Sequence, residues 1–171
     1  MDCIYGCYAC HNGHKDVVQL LLDHSSGNID LNTKDRNGRT ALFLACGNGH
    51  KEVVKLLLGH SGPRIDLNAK DRGGRTVLMR ACQNGYKDIA QLILDHSGGK
   101  LDLNAKSVSG MTALLFACVS GHKNVVILLL EHSDQRIDLN AKDILGRTAL
   151  VIARKKGRQE IVQLIEGNSN S

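Results

Sequence analysis

The chain has no Trp, two Phe and three Tyr, so aromatics make up only 3% of its 171 residues. Rings supply much of the buried area in a large single core, and such a core is poorly provided for here. With one Pro against 18 Gly, turn-making falls to glycine. Long apolar runs are lacking too. Val125 to Leu130 is among the longest, whereas a membrane helix needs about 20 residues. Met1-Asp2-Cys3-Ile4-Tyr5-Gly6 has no basic region leading into an apolar core, so no secretory signal is read. Nor does one sign of charge dominate. Lys and Arg number 22 against 17 Asp and Glu, a formal net charge of +5. That excess favours an acidic partner without demanding nucleic acid. What is present is a 42% apolar fraction, mainly Leu, Val and Ala. The length suits one domain or one short repeat array. The expected protein is a monomer in the cytoplasm or nucleus, with its thiols reduced.

Self-similarity organises the chain. Gly38, Gly74, Gly110 and Gly146 stand 36 residues apart, and so do Gly13, Gly49, Gly85, Gly121 and Gly157. The Asp-Leu-Asn runs ending at Asn32, Asn68, Asn104 and Asn140 keep the same step. Three independent markers with one period indicate a repeat architecture.

One unit reads physically from Asp35 to Lys70. Asp35-Arg36-Asn37-Gly38 has Asp first and Gly fourth, the preference of a type I turn. Thr40 is placed to cap a helix with its hydroxyl. Ala41 to Cys46 form a short helix of small and apolar residues, ended by Gly49 in a left-handed conformation. Lys51 to Leu58 form a second helix, with Val53, Val54, Leu57 and Leu58 on one face. Helices this short are marginal alone, so each unit must bury its faces against its neighbours.

Gly38-Arg39-Thr40-Ala41-Leu42-Phe43-Leu44-Ala45-Cys46, then Gly49-His50-Lys51-Glu52-Val53-Val54, resembles the ankyrin repeat. The resemblance covers essentially the whole chain in about five units: 1–34, 35–70, 71–106, 107–142 and 143–167. It implies an all-α fold, an α-solenoid of paired helices with a β-hairpin finger at each junction. Residues 168–171 read as a frayed tail. The usual ankyrin period is 33, and the extra three residues fall after the second helix, as in His60 to Ile65. The family's Pro is replaced by Ala41, Val77, Ala113 and Ala149. Its His is replaced by Phe43, Met79, Leu115 and Val151, so apolar packing is expected where a His–Thr contact would lie. The first unit starts directly at its helix. In the last, Ala153-Arg154 replaces Ala-Cys, as a water-facing cap requires.

Residues that look chemical mostly belong to the repeat. Cys10, Cys46, Cys82 and Cys118 share one repeat position beside an Ala, where a free Cys acts as a small buried hydrophobe. Cys3, Cys7, Cys10, His11 and His14 could suggest zinc, but no second Cys-x-x-Cys follows. His14, His50 and His122 follow the turn glycine, and His24, His60, His96 and His132 follow the second helix. Such repetition marks framework, whereas a catalytic base needs a singular environment. No nucleophile elbow, phosphate loop or HExxH motif occurs. Neither catalysis nor a cofactor or metal is expected. Asn32, Asn68, Asn104 and Asn140 suit turn stabilisation. The resemblance also raises asparagine hydroxylation there.

By that resemblance, partners contact the finger tips and the exposed side of the first helices, a concave face. The corresponding partner-binding residues are Arg36, Arg39, Arg72, Arg75, Arg80, Asn84, Met111, Phe116, Ile144, Leu145 and Arg147. Val108 and Ser109 are also finger positions, and Tyr8, Leu44 and Ile152 are further helix positions. Early units present arginines and later units present apolar groups. This suggests a protein or peptide with an acidic part and an apolar part. Arg39 and Arg75 are equally placed to pair with Asp35 and Asp71. The expected function is a non-catalytic protein-binding module. The alternatives are a binder of an acidic polymer or nucleic acid, which lacks its basic stripe with aromatics, and a regulatory domain of a larger protein.

Overall fold

The computed structural model describes residues 2–24, 29–60, 65–132 and 137–169, with side chains from residue 6 onward. The helices are α1 Asp2–Asn12, α2 Lys15–His24, α3 Ala41–Asn48, α4 Lys51–Gly59, α5 Val77–Asn84, α6 Lys87–His96, α7 Ala113–Ser120, α8 Lys123–Glu131, α9 Ala149–Lys155 and α10 Gln159–Ser169.

Their ends follow from particular residues. Thr40, Thr76, Thr112 and Thr148 sit in extended backbone, and each hydroxyl accepts the N–H three residues on, at 3.2, 3.4, 3.3 and 3.4 Å. This satisfies one of the amides that a helix start leaves without a partner. Gly49, Gly85 and Gly121 close α3, α5 and α7 with φ of 81°, 77° and 80°. That conformation costs any other residue about 1–2 kcal/mol. The α3 helix runs two residues beyond the expected Cys46, to its glycine.

Odd-numbered helices pack in series as one row and even-numbered helices as a second row, each pair joined by a short turn. The two rows bury different amounts. In α3, Leu42 to Gly47 are all buried, because the helix meets α1, α5 and α4 together. Such a helix is apolar all round. In α4 only Val53, Val54, Leu57 and Leu58 are buried, and Glu52 and Lys55 face water. Each fully buried Val or Leu contributes about 1.5–3 kcal/mol. Ala45, Cys46, Ala81, Cys82, Ala117 and Cys118 have no exposed surface, so they set how closely α3, α5 and α7 approach.

The expected β-hairpin fingers are corrected: no strand is found among the described residues. Each finger is one closed turn. Gly38 N–H donates to the Asp35 carbonyl and Asp35 N–H to the Arg39 carbonyl, both at 2.9 Å. The reciprocal rung does not form, because the Arg39 N–H bonds the Asp35 carboxylate instead of its carbonyl, and Ala41, where the next rung would lie, already begins α3. Single bonds link successive fingers: Arg72 N–H to Asn37 O, Val108 N–H to Gly73 O, and Ile144 N–H to Ser109 O.

The asparagines were read as local turn stabilisers, and the structure uses them between units. Asn32, Asn68 and Asn104 Oδ1 accept the backbone N–H of Asp66, Asp102 and Asp138, at 2.7, 2.9 and 2.9 Å. The local turn is held instead by the aspartates, whose Oδ1 accepts the asparagine N–H two residues on. A lysine row runs parallel. Lys34, Lys70 and Lys106 Nζ donate to the carbonyls of Lys70, Lys106 and Lys142.

Two further expectations meet the structure in part. Of the lengthened loops, 25–28, 61–64 and 133–136 lie outside the described residues. The loop after α6 turns through Gly98 and Gly99, with φ of 51° and 79°. Asn168 and Ser169, expected in a frayed tail, continue α10 and bond back to Leu164 and Ile165 carbonyls. Asn170 and Ser171 lie outside the described residues.

A glycine pair separates backbone strain from crowding. A Cβ on Gly85 would lie 2.5 Å from His122 Nδ1, whereas one on Gly157 would meet nothing within 4 Å, and both have left-handed backbones. Gly157→Ala is expected to cost about 1–2 kcal/mol and Gly85→Ala clearly more. Urea unfolding of the two variants checks the order.

Candidate functional site

The finger arginines divide by whether the finger itself uses them. Arg39, Arg75 and Arg147 bind Asp35, Asp71 and Asp143 through Nη2 at 2.7, 2.7 and 2.6 Å, and each also donates through Nε. Their backbone N–H groups bond the same carboxylates. Asp71 and Asp143 have side chains only 3% and 1% exposed, so removing the arginine would strand a buried charge. These three arginines are first of all clasps that close the finger turns. Arg36 and Arg72 are exposed.

Burial raises the Asp71 carboxyl pKa. The bonds from the Arg75 side chain and backbone, its charge and the Gly73 N–H outweigh that and hold it below 3.8. Asp35 and Asp143 shift in the same direction, for the same kinds of reason.

The third finger breaks the pattern. Ser107 stands where the other fingers have Asp, and Met111 where they have Arg. Ser107 Oγ takes over the backbone duty by accepting Met111 N–H at 3.1 Å, and it contacts Ser109 Oγ at 3.0 Å. Met111 is buried at 7%, so it belongs to the packed interior, and Val108 is the exposed apolar residue of this finger, at 74%. Beside it lies an open groove of about 390 Å³, lined by Gly73, Arg75, Ser107, Val108, Ser109, Phe116 and Ile144. Ile144 and Leu145 on the fourth finger are 71% and 69% exposed.

On the first-helix face the positions also differ. Tyr8 is exposed, while Arg80 and Phe116 are half-buried. Leu44 and Ile152, expected at the surface, are 6% and 3% exposed. Arg80 lies across the neighbouring α3, with its guanidinium carbon 5.8 Å from the Phe43 ring centre. A Cβ on Gly47 would come within 3.3 Å of it. Its Nη1 donates to Gln83 Oε1 at 2.9 Å. Among the described residues its Nε is enclosed without a hydrogen-bond partner. Burial and the neighbouring charges of Arg75 and Arg39 weaken its hold on its proton, with Asp71 opposing. Asn84 is spent on a structural bond, donating to Gly47 O at 2.6 Å.

Of the expected apolar replacements for histidine, Phe43, Met79 and Leu115 are buried, while Val151 is 48% exposed. The repeated histidines serve the stack. His50 and His122 Nε2 bond the carbonyls of His11 and Gln83 at 2.9 and 3.1 Å. A carbonyl only accepts, so these rings carry their proton on Nε2. His11, considered for zinc, contacts Asn48 through Nδ1. Cys10 is buried, and burial together with Cys7 pushes its thiol up to about 12.

Sequence reasoning missed the groove. Its signal was present as the joint replacement of Asp and Arg by Ser107 and Met111, a departure at two coupled positions.

A family model described as ankyrin repeats (3 copies) matches residues 7–107 and 98–170. No curated protein sequence matches the chain significantly. No helix among the described residues is long and apolar enough to cross a membrane.

Two outcomes follow from this chemistry. Asp71→Asn is expected to cost about 1–3 kcal/mol at neutral pH, the usual effect of losing a charged hydrogen-bond partner. The native carboxyl titrates lower than the unfolded one, so its contribution is full above 3.8 and fades as pH falls through the native value. Urea unfolding across acid pH should show the gap between wild type and variant narrowing below 3.8. Separately, burial pushes the Cys46 and Cys82 thiols far up, and Cys118 to about 12. Labelling by a thiol-reactive disulfide reagent should leave these three unmodified in the native protein and modify them in denaturant.

Proposed function

Because the chain belongs to the ankyrin-repeat family, whose members are in general protein–protein interaction modules, we propose that it binds a protein or peptide without catalysis, across its finger tips and the exposed side of its first helices. The observation that carries this reading is the surface of the last two fingers. Val108, Ile144 and Leu145 are each about seven-tenths exposed. They lie close together, because Ile144 N–H bonds the Ser109 carbonyl. Scattered apolar residues on a surface need no explanation, but a cluster beside a groove points to a contact site. Exposed Arg72 and half-buried Arg80 supply a cationic side, which favours a partner with an acidic part and an apolar part.

Arg75, Arg39 and Arg147 contribute less than their number suggests, since their charges are committed to carboxylates. The lysine row at Lys34, Lys70 and Lys106 is bonded to carbonyls and alternates with Asp66, Asp102 and Asp138. That mixture does not favour an acidic polymer. The compartment we infer is intracellular and reducing, consistent with the unoxidised Cys10, Cys46, Cys82 and Cys118 in the core.

The test is capture of binding proteins by wild type, by Ile144→Asp with Leu145→Asp, and by Lys55→Glu on the far helix α4. Proteins retained by wild type and the α4 variant but lost from the finger variant are the expected result. Equal capture by all three would remove the finger face from consideration. Capture that disappears with moderate salt in every case would favour the polymer reading.

A further inference from the structure

The groove lies beside the third finger, where Met111 replaces the finger arginine. In the other fingers a guanidinium covers the turn and binds the aspartate. Here the equivalent residue is Met111, which is buried, and the equivalent acceptor is Ser107, which lines the groove. Val108, Ile144 and Phe116 give its lining an apolar side, and Arg75 of the second finger lines it too. The hollow is large enough for a Leu or Phe side chain. A guanidinium faces the same side of the stack at Arg80, at the repeat position equivalent to Phe116. Its surroundings leave a negative charge wanting. Asp71 is committed to Arg75 through two guanidinium nitrogens, Arg80 itself has only the neutral Gln83 acceptor, and its Nε has no hydrogen-bond partner among the described residues.

Resting on the reading above, we propose that the groove takes one bulky apolar side chain of an extended peptide, and that Arg80 takes the carboxylate of an acidic residue about three or four positions away. The spacing comes from the stack. The Arg80 guanidinium reaches from α5 toward α3, while the groove lies between the units of α5 and α7, lined from the first by Arg75 and from the second by Phe116. That separation is between one and one and a half helix spacings, roughly 10–15 Å for helices packed 8–10 Å apart. An extended chain advances about 3.3 Å per residue. The charge complements the site as well. A carboxylate on the open side of the half-buried guanidinium would offset the mutual repulsion of Arg39, Arg75 and Arg80, and a charged hydrogen bond of this kind is the strong class.

The experiment is to pan a random dodecapeptide phage library on the full chain. Enriched sequences, made as fluorescein-labelled peptides, are then titrated against wild type and three variants by anisotropy. Arg80→Leu copies what unit two has at Leu44. Ser107→Asp with Met111→Arg restores the pattern of the other fingers and fills the groove. Ile144→Asp disrupts the finger surface. Both pattern-restoring variants place residues that this chain already accommodates elsewhere, and thermal unfolding verifies that they fold. The expected result is enrichment of an acidic residue with a bulky apolar residue two or three positions between them. Arg80→Leu and the groove-filling variant should each weaken binding by about tenfold or more. Replacing the peptide's acidic residue should matter in wild type and not in Arg80→Leu. An unenriched library, or enriched peptides without that spacing, overturns the proposal. Peptides lost with Ile144→Asp yet indifferent to the other two variants overturn it while leaving the finger-face reading standing. Peptides indifferent to all three overturn both.

Discussion

The contact that the rest of the stack depends on lies between a glycine at a helix end and the side chain 37 residues later. His50 lies against Gly13, Tyr86 against Gly49, His122 against Gly85 and Arg158 against Gly121. Two demands fall on the same residue. The helix must stop in a left-handed conformation, and the next unit must approach where a Cβ would sit. Only glycine meets both. From this approach the other ladders follow. Asparagine to aspartate amide, lysine to carbonyl and finger to finger are all bonds between equivalent places in neighbouring units.

This arrangement explains why so many polar residues are unavailable for function. An isolated unit would leave asparagine amides, lysine ammonium groups and finger carbonyls to water, and stacking exchanges those contacts for bonds inside the array. Exposed ion pairs add little by comparison. Lys51–Asp88 and Lys123–Glu160 repeat at the same spacing between even-numbered helices, and the series breaks at Lys87, whose counterpart is Asn124. A break there is tolerated, whereas the turn glycine does not vary from Gly13 to Gly157.

The proposed function rests on the departures from the repeat. The swap of Asp and Arg for Ser107 and Met111 keeps the turn closed, since Ser107 Oγ still accepts the residue 111 amide. It removes the guanidinium from a finger whose Ser107, Val108 and Ser109 line a groove. At the position shared by Leu44, Arg80, Phe116 and Ile152, two residues are buried and two are left partly exposed. Those two, Arg80 and Phe116, give the surface its cationic and aromatic character. Framework positions are alike because each meets the same neighbour. Unlike positions on the open side have no such constraint, and the proposed contact uses them.

By itself the amino-acid sequence determined the period, the helix pairs, the threonine caps, the glycine ends and the buried cysteines. Each is set by residues within one unit or by its identity with the next, and periodicity displays both directly. Tertiary structure alone decided the rest. Strands do not form in the described fingers because the Arg39 N–H is taken by the Asp35 carboxylate and the helix starts at Ala41. The asparagines act across units because the neighbouring loop brings an amide to them. Met111, Leu44 and Ile152 are buried, and Val108 is exposed, although one-dimensional position made them look alike. Exposure on this face depends on how the next unit leans against the last, and that contact has no trace in the order of residues within a unit.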